Sequence, residues 1–227
     1  MLATLLLLLL PGTLAAERVI DSFDSLEGWK EVSFRKIERG SEFESVRNGE
    51  LLRVSSRGGA SMLVLEEEID VYETPVVSWR WRVTEDLSRQ NLFSQEGDDA
   101  AIRLYVAFRR PLSERGFGAR LWAQVQQKMY GEIPPDSALS FVWSSRFEGA
   151  FLSSYTDRQY LVIPEIEGGE GFIRGEWIEH SVDLLETYRT LFGEEPPSEA
   201  FVAVMGDSDN TGGSTEAWLD YLRFAPR

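Results

Sequence analysis

Along most of the chain, apolar and polar residues alternate in short runs. Val77, Trp79, Trp81 and Val83 alternate with Ser78, Arg80 and Arg82, and Ile102, Leu104, Val106 and Phe108 alternate with Arg103 and Tyr105. A period of two puts each set on its own face of a β-strand. The pattern predicts strands near Val19–Phe23, Val32–Ile37, Leu51–Ser55, Met62–Ile69, Val76–Val83, Ala101–Phe108, Ala138–Trp143, Tyr160–Ile163, Trp177–Leu184, Phe201–Met205 and Ala217–Phe224. Gly, Asp, Asn and Pro punctuate the runs, and Asn48-Gly49 reads as a hairpin turn between Phe43–Val46 and Leu51. Many short strands with regular turns imply an all-β, jelly-roll-type sandwich.

Two segments break the alternation. Phe117, Leu121, Val125 and Met129 lie four apart, which predicts a helix over Phe117–Tyr130. A shorter helix is expected at Leu184–Phe192, stopped by Gly193 with Pro196-Pro197 beyond. The longest loop runs from Thr84 to Asp99, and long loops in compact domains are often functional. At the start, the apolar run Leu2–Leu10 is followed by Pro11, Gly12, Thr13, Leu14, Ala15 and Ala16. This reads as a secretory signal cut after Ala15 or Ala16, and it is too short for a membrane span. The expectation is a single periplasmic or secreted domain over residues 17–227.

Composition narrows the function classes. There is no cysteine, which excludes thiol catalysis, Cys-based zinc sites and a lipid anchor on cysteine. A net charge of −15 argues against nucleic acid as a partner. No serine sits in a Gly-x-Ser-x-Gly elbow. His180, the only histidine, alternates with Ile178 and Val182 and reads as a core residue.

Four groups of residues carry candidate chemistry. If the strands at 76–83 and 101–108 pair, their apolar faces must coincide, and Arg80, Arg82, Arg103 and Tyr105 become one cationic patch. Two acidic turns, Gly97-Asp98-Asp99 and Gly206 to Thr211 with Asp207, Asp209 and Asn210, offer oxygens either to a hard cation or to those arginines. Asp21 and Asp24 near the first strand and Asp220 in the last could share a structural calcium, the only cofactor these patterns admit. Trp143 and Tyr155 bracket Ser144–Ser154 and could stack on a sugar; Trp79 and Trp81 read as core, Trp122 and Trp177 as packing. Asp98 with Asp207 or Asp209 could also flank a glycosidic bond if the pair stood about 5–9 Å apart.

Several segments together resemble a known family. They are Trp79-Arg80-Trp81, Gly97 to Arg103, Phe141-Val142-Trp143-Ser144, Trp177 with Asp183, Phe192-Gly193, and Met205 to Thr211. In this order they resemble the exported bacterial proteins grouped as the domain of unknown function numbered 3047. The resemblance implies one secreted domain with a lectin-like or galactose-binding-like sandwich. It adds weight to Asp98, Asp99, Arg103, Asp207, Asp209, Asn210 and Thr211, and brings no function. The helical insert at 117–130 fits it poorly. The leading expectation is a non-catalytic module binding a cell-envelope or environmental glycan, possibly an acidic one. The alternatives are a polysaccharide hydrolase or lyase using the paired carboxylates, and a structural envelope protein whose Arg–Asp cluster is architectural.

Overall fold

The computed structural model describes residues 18–21 (backbone only), 23–46, 50–114, 116, 135–144, 149–153, 158–164 and 174–227. The expected signal segment, the Asn48-Gly49 turn, the 117–130 helix, Trp122 and Tyr155 lie outside these. The strands are β1 (Arg18–Asp21), β2 (Trp29–Ser33), β3 (Glu42–Val46), β4 (Leu51–Arg57), β5 (Ala60–Leu65), β6 (Ile69–Asp70) and β7 (Val76–Glu85). Then come β8 (Ala100–Arg109), β9 (Ser137–Val142), β10 (Gly149–Leu152), β11 (Gln159–Ile163), β12 (Ile178–Asp183), helix α1 (Leu184–Phe192), β13 (Glu199–Asp207) and β14 (Ser214–Ala225).

These strands form two sheets, one ordered β12-β7-β14-β4-β3 with β1 also on β14, the other β10-β11-β9-β8-β13-β5-β2 with β6 also on β13. Among the described strands, only β9 and β11 pair in parallel. Strands β4 and β5, β7 and β8, and β13 and β14 are consecutive yet belong to different sheets, so the chain crosses the sandwich repeatedly, in the jelly-roll manner. The alternating faces meet across the interior. Trp79 and Trp81 from β7 face Phe141 and Trp143 from the other sheet, with ring centroids 4.9 Å apart for Trp79–Phe141 and 6.1 Å for Trp81–Trp143.

This topology corrects the expected pairing of the strands at 76–83 and 101–108. β7 lies between β12 and β14, whereas β8 lies between β9 and β13 in the opposite sheet. Two amphipathic strands satisfy their apolar faces equally well side by side or face to face, and here the Thr84–Asp99 loop carries the chain from one sheet to the other. Arg80 and Arg82 therefore point outward from one sheet, and Tyr105 points outward from the other. The four-residue cationic patch does not form.

Helix α1 forms where expected. The Asp183 side chain caps it by accepting from the Glu186 amide at 2.9 Å, and Gly193 ends it in the left-handed region with φ 70°. Tyr188 is buried against Phe108 and lies 2.8 Å from the Ser137 hydroxyl, so the helix closes one end of the sandwich.

Candidate functional site

The two acidic turns do converge. Asp98 and Asp99 end the long loop just before β8, Asp207 ends β13, and Asp209, Asn210 and Thr211 follow it. β8 and β13 are neighbours, with Asp207 opposite Ala100, so pairing alone brings the turns together. Arg103 binds both: one guanidinium nitrogen donates to the Asp98 carbonyl and carboxylate, each at 2.8 Å, and lies 3.3 Å from the Asp207 carboxylate. Asp207 also accepts from the Ala100 amide. Asp99 accepts from the Asn210 amide (3.2 Å), the Asn210 side chain (3.0 Å) and the Thr211 amide (2.7 Å), which fastens the second turn.

The cluster is sealed rather than open: Asp98, Asp99, Arg103 and Asp207 are 3%, 0%, 2% and 4% exposed. Burial opposes the Arg103 charge, but Asp207, Tyr105 and Asp98 outweigh it and hold the group above the ordinary arginine range. Burial pushes Asp207 up to about 7, although Arg103 pulls the other way. Burial and the neighbouring Asp99 also raise Asp209. One residue the sequence reading passed over completes the network. Gln90, buried in the long loop, donates to the carbonyls of Asp99 (3.1 Å) and Trp143 (3.2 Å) and accepts from Ser144 (2.8 Å).

The proposed calcium ligands Asp21, Asp24 and Asp220 are described only in part. Asp220 faces out from β14 and pairs with Arg80 at 3.1 Å, Asp24 is exposed in the turn before β2, and only the backbone of Asp21 is described. The terminal strands β1 and β14 pair, but the outward pleat turns Asp220 toward β7. Among the described residues, the carboxylates spaced for a cation are Asp99, Asp207 and Asp209, each with one oxygen within 4.8 Å of the others. Trp143 is 1% exposed and packs on Trp81, so it is a core residue and not a sugar platform. His180 lies 5.1 and 5.5 Å from the Trp79 and Trp81 rings, and burial lowers its pKa to about 4.

The outer faces carry features of their own. On the smaller sheet, Arg82 lies between two indoles, 4.8 Å from Trp177 and 5.5 Å from Trp218. On the larger sheet a groove of about 540 Å³ runs over β2, β5, β8 and β13. Its floor is built from Val32, Met62, Val64, Ala107, Phe201 and Ala203, with Tyr105 among them. Lys30, Glu66, Arg109 and Gln159 supply polar groups at its sides. Arg109 lies over the Phe201 ring at 4.2 Å and pairs with Glu68. Of these lining residues, only Tyr105 was singled out from the sequence. The signal was present in β13: Phe201, Ala203 and Met205 make its outward set as apolar as its inward one, which is the mark of a strand that is not facing bulk water.

Comparison with solved structures gives sandwiches of low similarity. The family 11 carbohydrate-binding module of the cellulosomal cellulase Lic26A-Cel5E of Clostridium thermocellum is 11% identical, with 93% of this chain and 95% of that one covered and a TM-score of 0.43. The same family's module from Clostridium thermocellum in complex with a β-1,3-1,4-mixed-linked tetrasaccharide is 10% identical, covering 92% and 95%, with a TM-score of 0.41. Lectin I-B4 from Griffonia simplicifolia is 9% identical, covering 88% and 93%, with a TM-score of 0.33. No curated protein sequence matches the chain. A family profile described as "Protein of unknown function (DUF3047)" matches residues 27–223, and over that span run the segments that carried the resemblance. The chain belongs to the DUF3047 family.

Proposed function

We propose that the protein is an exported glycan-binding domain that receives sugar in the groove on the outer face of the larger sheet. The observation that carries this reading is the groove's composition. A pyranose ring has apolar C–H faces and a rim of hydroxyls, so it needs apolar, preferably aromatic, area flanked by hydrogen-bonding groups. Tyr105, Phe201 and the aliphatic floor supply the first; Lys30, Glu66, Arg109 and Gln159 supply the second. The groove volume, about 540 Å³, lies within the usual range for small-ligand sites. Every floor side chain stands on a strand, so the surface is preformed. The buried Asp98–Arg103–Asp207 set, on the same face of β8 as Tyr105, enters this reading as the fastening of the acidic turns, not as the place where ligand binds.

A glycan array of neutral and uronic-acid oligosaccharides tests the reading. One glycan class should be retained, and Tyr105→Ala should weaken that binding by about tenfold, roughly 1.4 kcal/mol, with the melting temperature little changed. Flat signals across the array, or full affinity in both Tyr105→Ala and Phe201→Ala, would remove the groove as a sugar site.

A further inference from the structure

On the smaller sheet, one row of outward side chains crosses several strands. Arg82 on β7 lies opposite Trp218 on β14, Trp218 lies opposite Arg53 on β4, and Arg53 lies opposite Glu44 on β3. Trp177, just before β12, closes the row on the other side of Arg82. Cations and indoles alternate along it: Arg80 and Arg82 each lie over Trp177 (5.1 and 4.8 Å), and Arg82 and Arg53 each lie over Trp218 (5.5 and 6.0 Å). Such contacts fix a guanidinium's plane and leave its N–H edge free to bond.

The arginines of the row differ in how their charge is met. Arg53 pairs with Glu44 at 2.9 Å and Glu216 at 2.7 Å, and Arg80 pairs with Asp220 at 3.1 Å. Arg82 has no acidic partner among the described residues, and its buried Nε has no hydrogen-bond partner. In a chain of net charge −15, a half-buried guanidinium held between two rings without a carboxylate is a place for an anion from outside.

We propose that Arg82, clamped by Trp177 and Trp218, binds the carboxylate of a uronic acid residue in a glycan. This rests on the glycan reading above and adds a second, charge-selective contact on the opposite face. Among the described residues Arg82 is the one cation of the row without an acidic partner, so the site accepts one carboxylate. Glu44, Glu216 and Asp220 beside it repel a dense polyanion, so the fitting ligand carries an isolated acid group among neutral sugars. Trp177 and Trp218 set the fork's orientation before the ligand arrives, which favours the bidentate geometry.

The test compares xylotriose bearing one glucuronic acid with the same oligosaccharide reduced at the carboxyl to an alcohol. Calorimetry on the full chain gives affinities, and the indole N–H signals of Trp177 and Trp218 report the location. The acid form should bind roughly tenfold more tightly, the loss expected for one charge-assisted hydrogen bond, and should shift both indole signals. Arg82→Gln should abolish the preference, and Arg82→Lys, which keeps the charge without the fork, should restore only part of it. Equal affinity for the two forms, or a preference that survives Arg82→Gln, overturns the proposal. If neutral sugars bind the groove and the acid form gains nothing, this proposal fails and the glycan reading stands. If no oligosaccharide binds at either face, both fail.

Discussion

Arg103 keeps its buried charge through the two carboxylates beside it, Asp98 and Asp207. Taking away one member of a buried ionic group leaves the others uncompensated, which costs about 3–5 kcal/mol. Arg103→Met should therefore lower unfolding stability by roughly that amount, read from the urea midpoint. Adding Asp207→Asn to that variant should recover part of the loss, because Asp207 is already raised to about 7 and gives up its proton reluctantly. If Arg103→Met leaves the midpoint unmoved, the guanidinium is not buried between the two carboxylates. His180 makes a pH-dependent contribution whose sign follows from its burial. Its folded pKa, about 4, lies below the ordinary 6.5, so the folded state resists protonation that the unfolded state accepts. Its stabilising effect is complete above pH 6.5 and is lost as pH falls toward 4, up to about 3 kcal/mol. The stability gap between the wild type and His180→Phe should shift against the wild type across that window. A gap independent of pH would mean that the imidazole is solvated.

At the scale of the elements, β13 and β4 approach closely across the sandwich at Gly206. A Cβ at Gly206 would stand 2.7 Å from Val54 Cγ1 and 3.4 Å from the Ala101 carbonyl. Gly206→Ala should cost about 1–3 kcal/mol by overpacking. Val54→Ala in the same chain should return part of it, which a double-mutant cycle measures; strict additivity would place the strain elsewhere. These elements were largely legible in the sequence, because strand alternation and the Gly193 stop are local signals. β10 was missed, since Gly149, Ala150, Phe151 and Leu152 do not alternate and are largely exposed at a sheet edge. Pairing was legible only in part. The convergence of the acidic turns followed from β8 and β13 being neighbours, whereas β7 and β8 packed face to face, an arrangement their residues favour no less than pairing. Trp143 was misread for the same reason: an aromatic residue at a strand end looks alike whether it ends against water or against Trp81.

At the scale of the whole molecule, the sandwich separates three kinds of polar chemistry. The larger sheet's outer face is apolar with charged sides, the smaller sheet's outer face is a ladder of arginine and indole, and the sealed ionic cluster ties β8 to β13. An excess of fifteen negative charges acts on all three, and salt should relieve their mutual repulsion. That general effect must be separated from specific metal binding, because Asp99, Asp207 and Asp209 have the spacing a divalent cation could bridge. The oxygens of Asp99 and Asp207 are already engaged. Asp99 accepts three N–H groups, and Asp207 accepts the Ala100 amide with a guanidinium 3.3 Å away that repels any cation entering beside it. Calcium chloride and sodium chloride at matched ionic strength should therefore raise the melting temperature equally, with no saturation. A calcium-specific, saturable rise that Asp209→Asn removes would show instead that the cluster opens to a metal, since a ligand of the folded state alone stabilises it by mass action. In that event the Arg103 bridge would have to be the part that yields, and Arg103→Met would tighten calcium binding rather than abolish it.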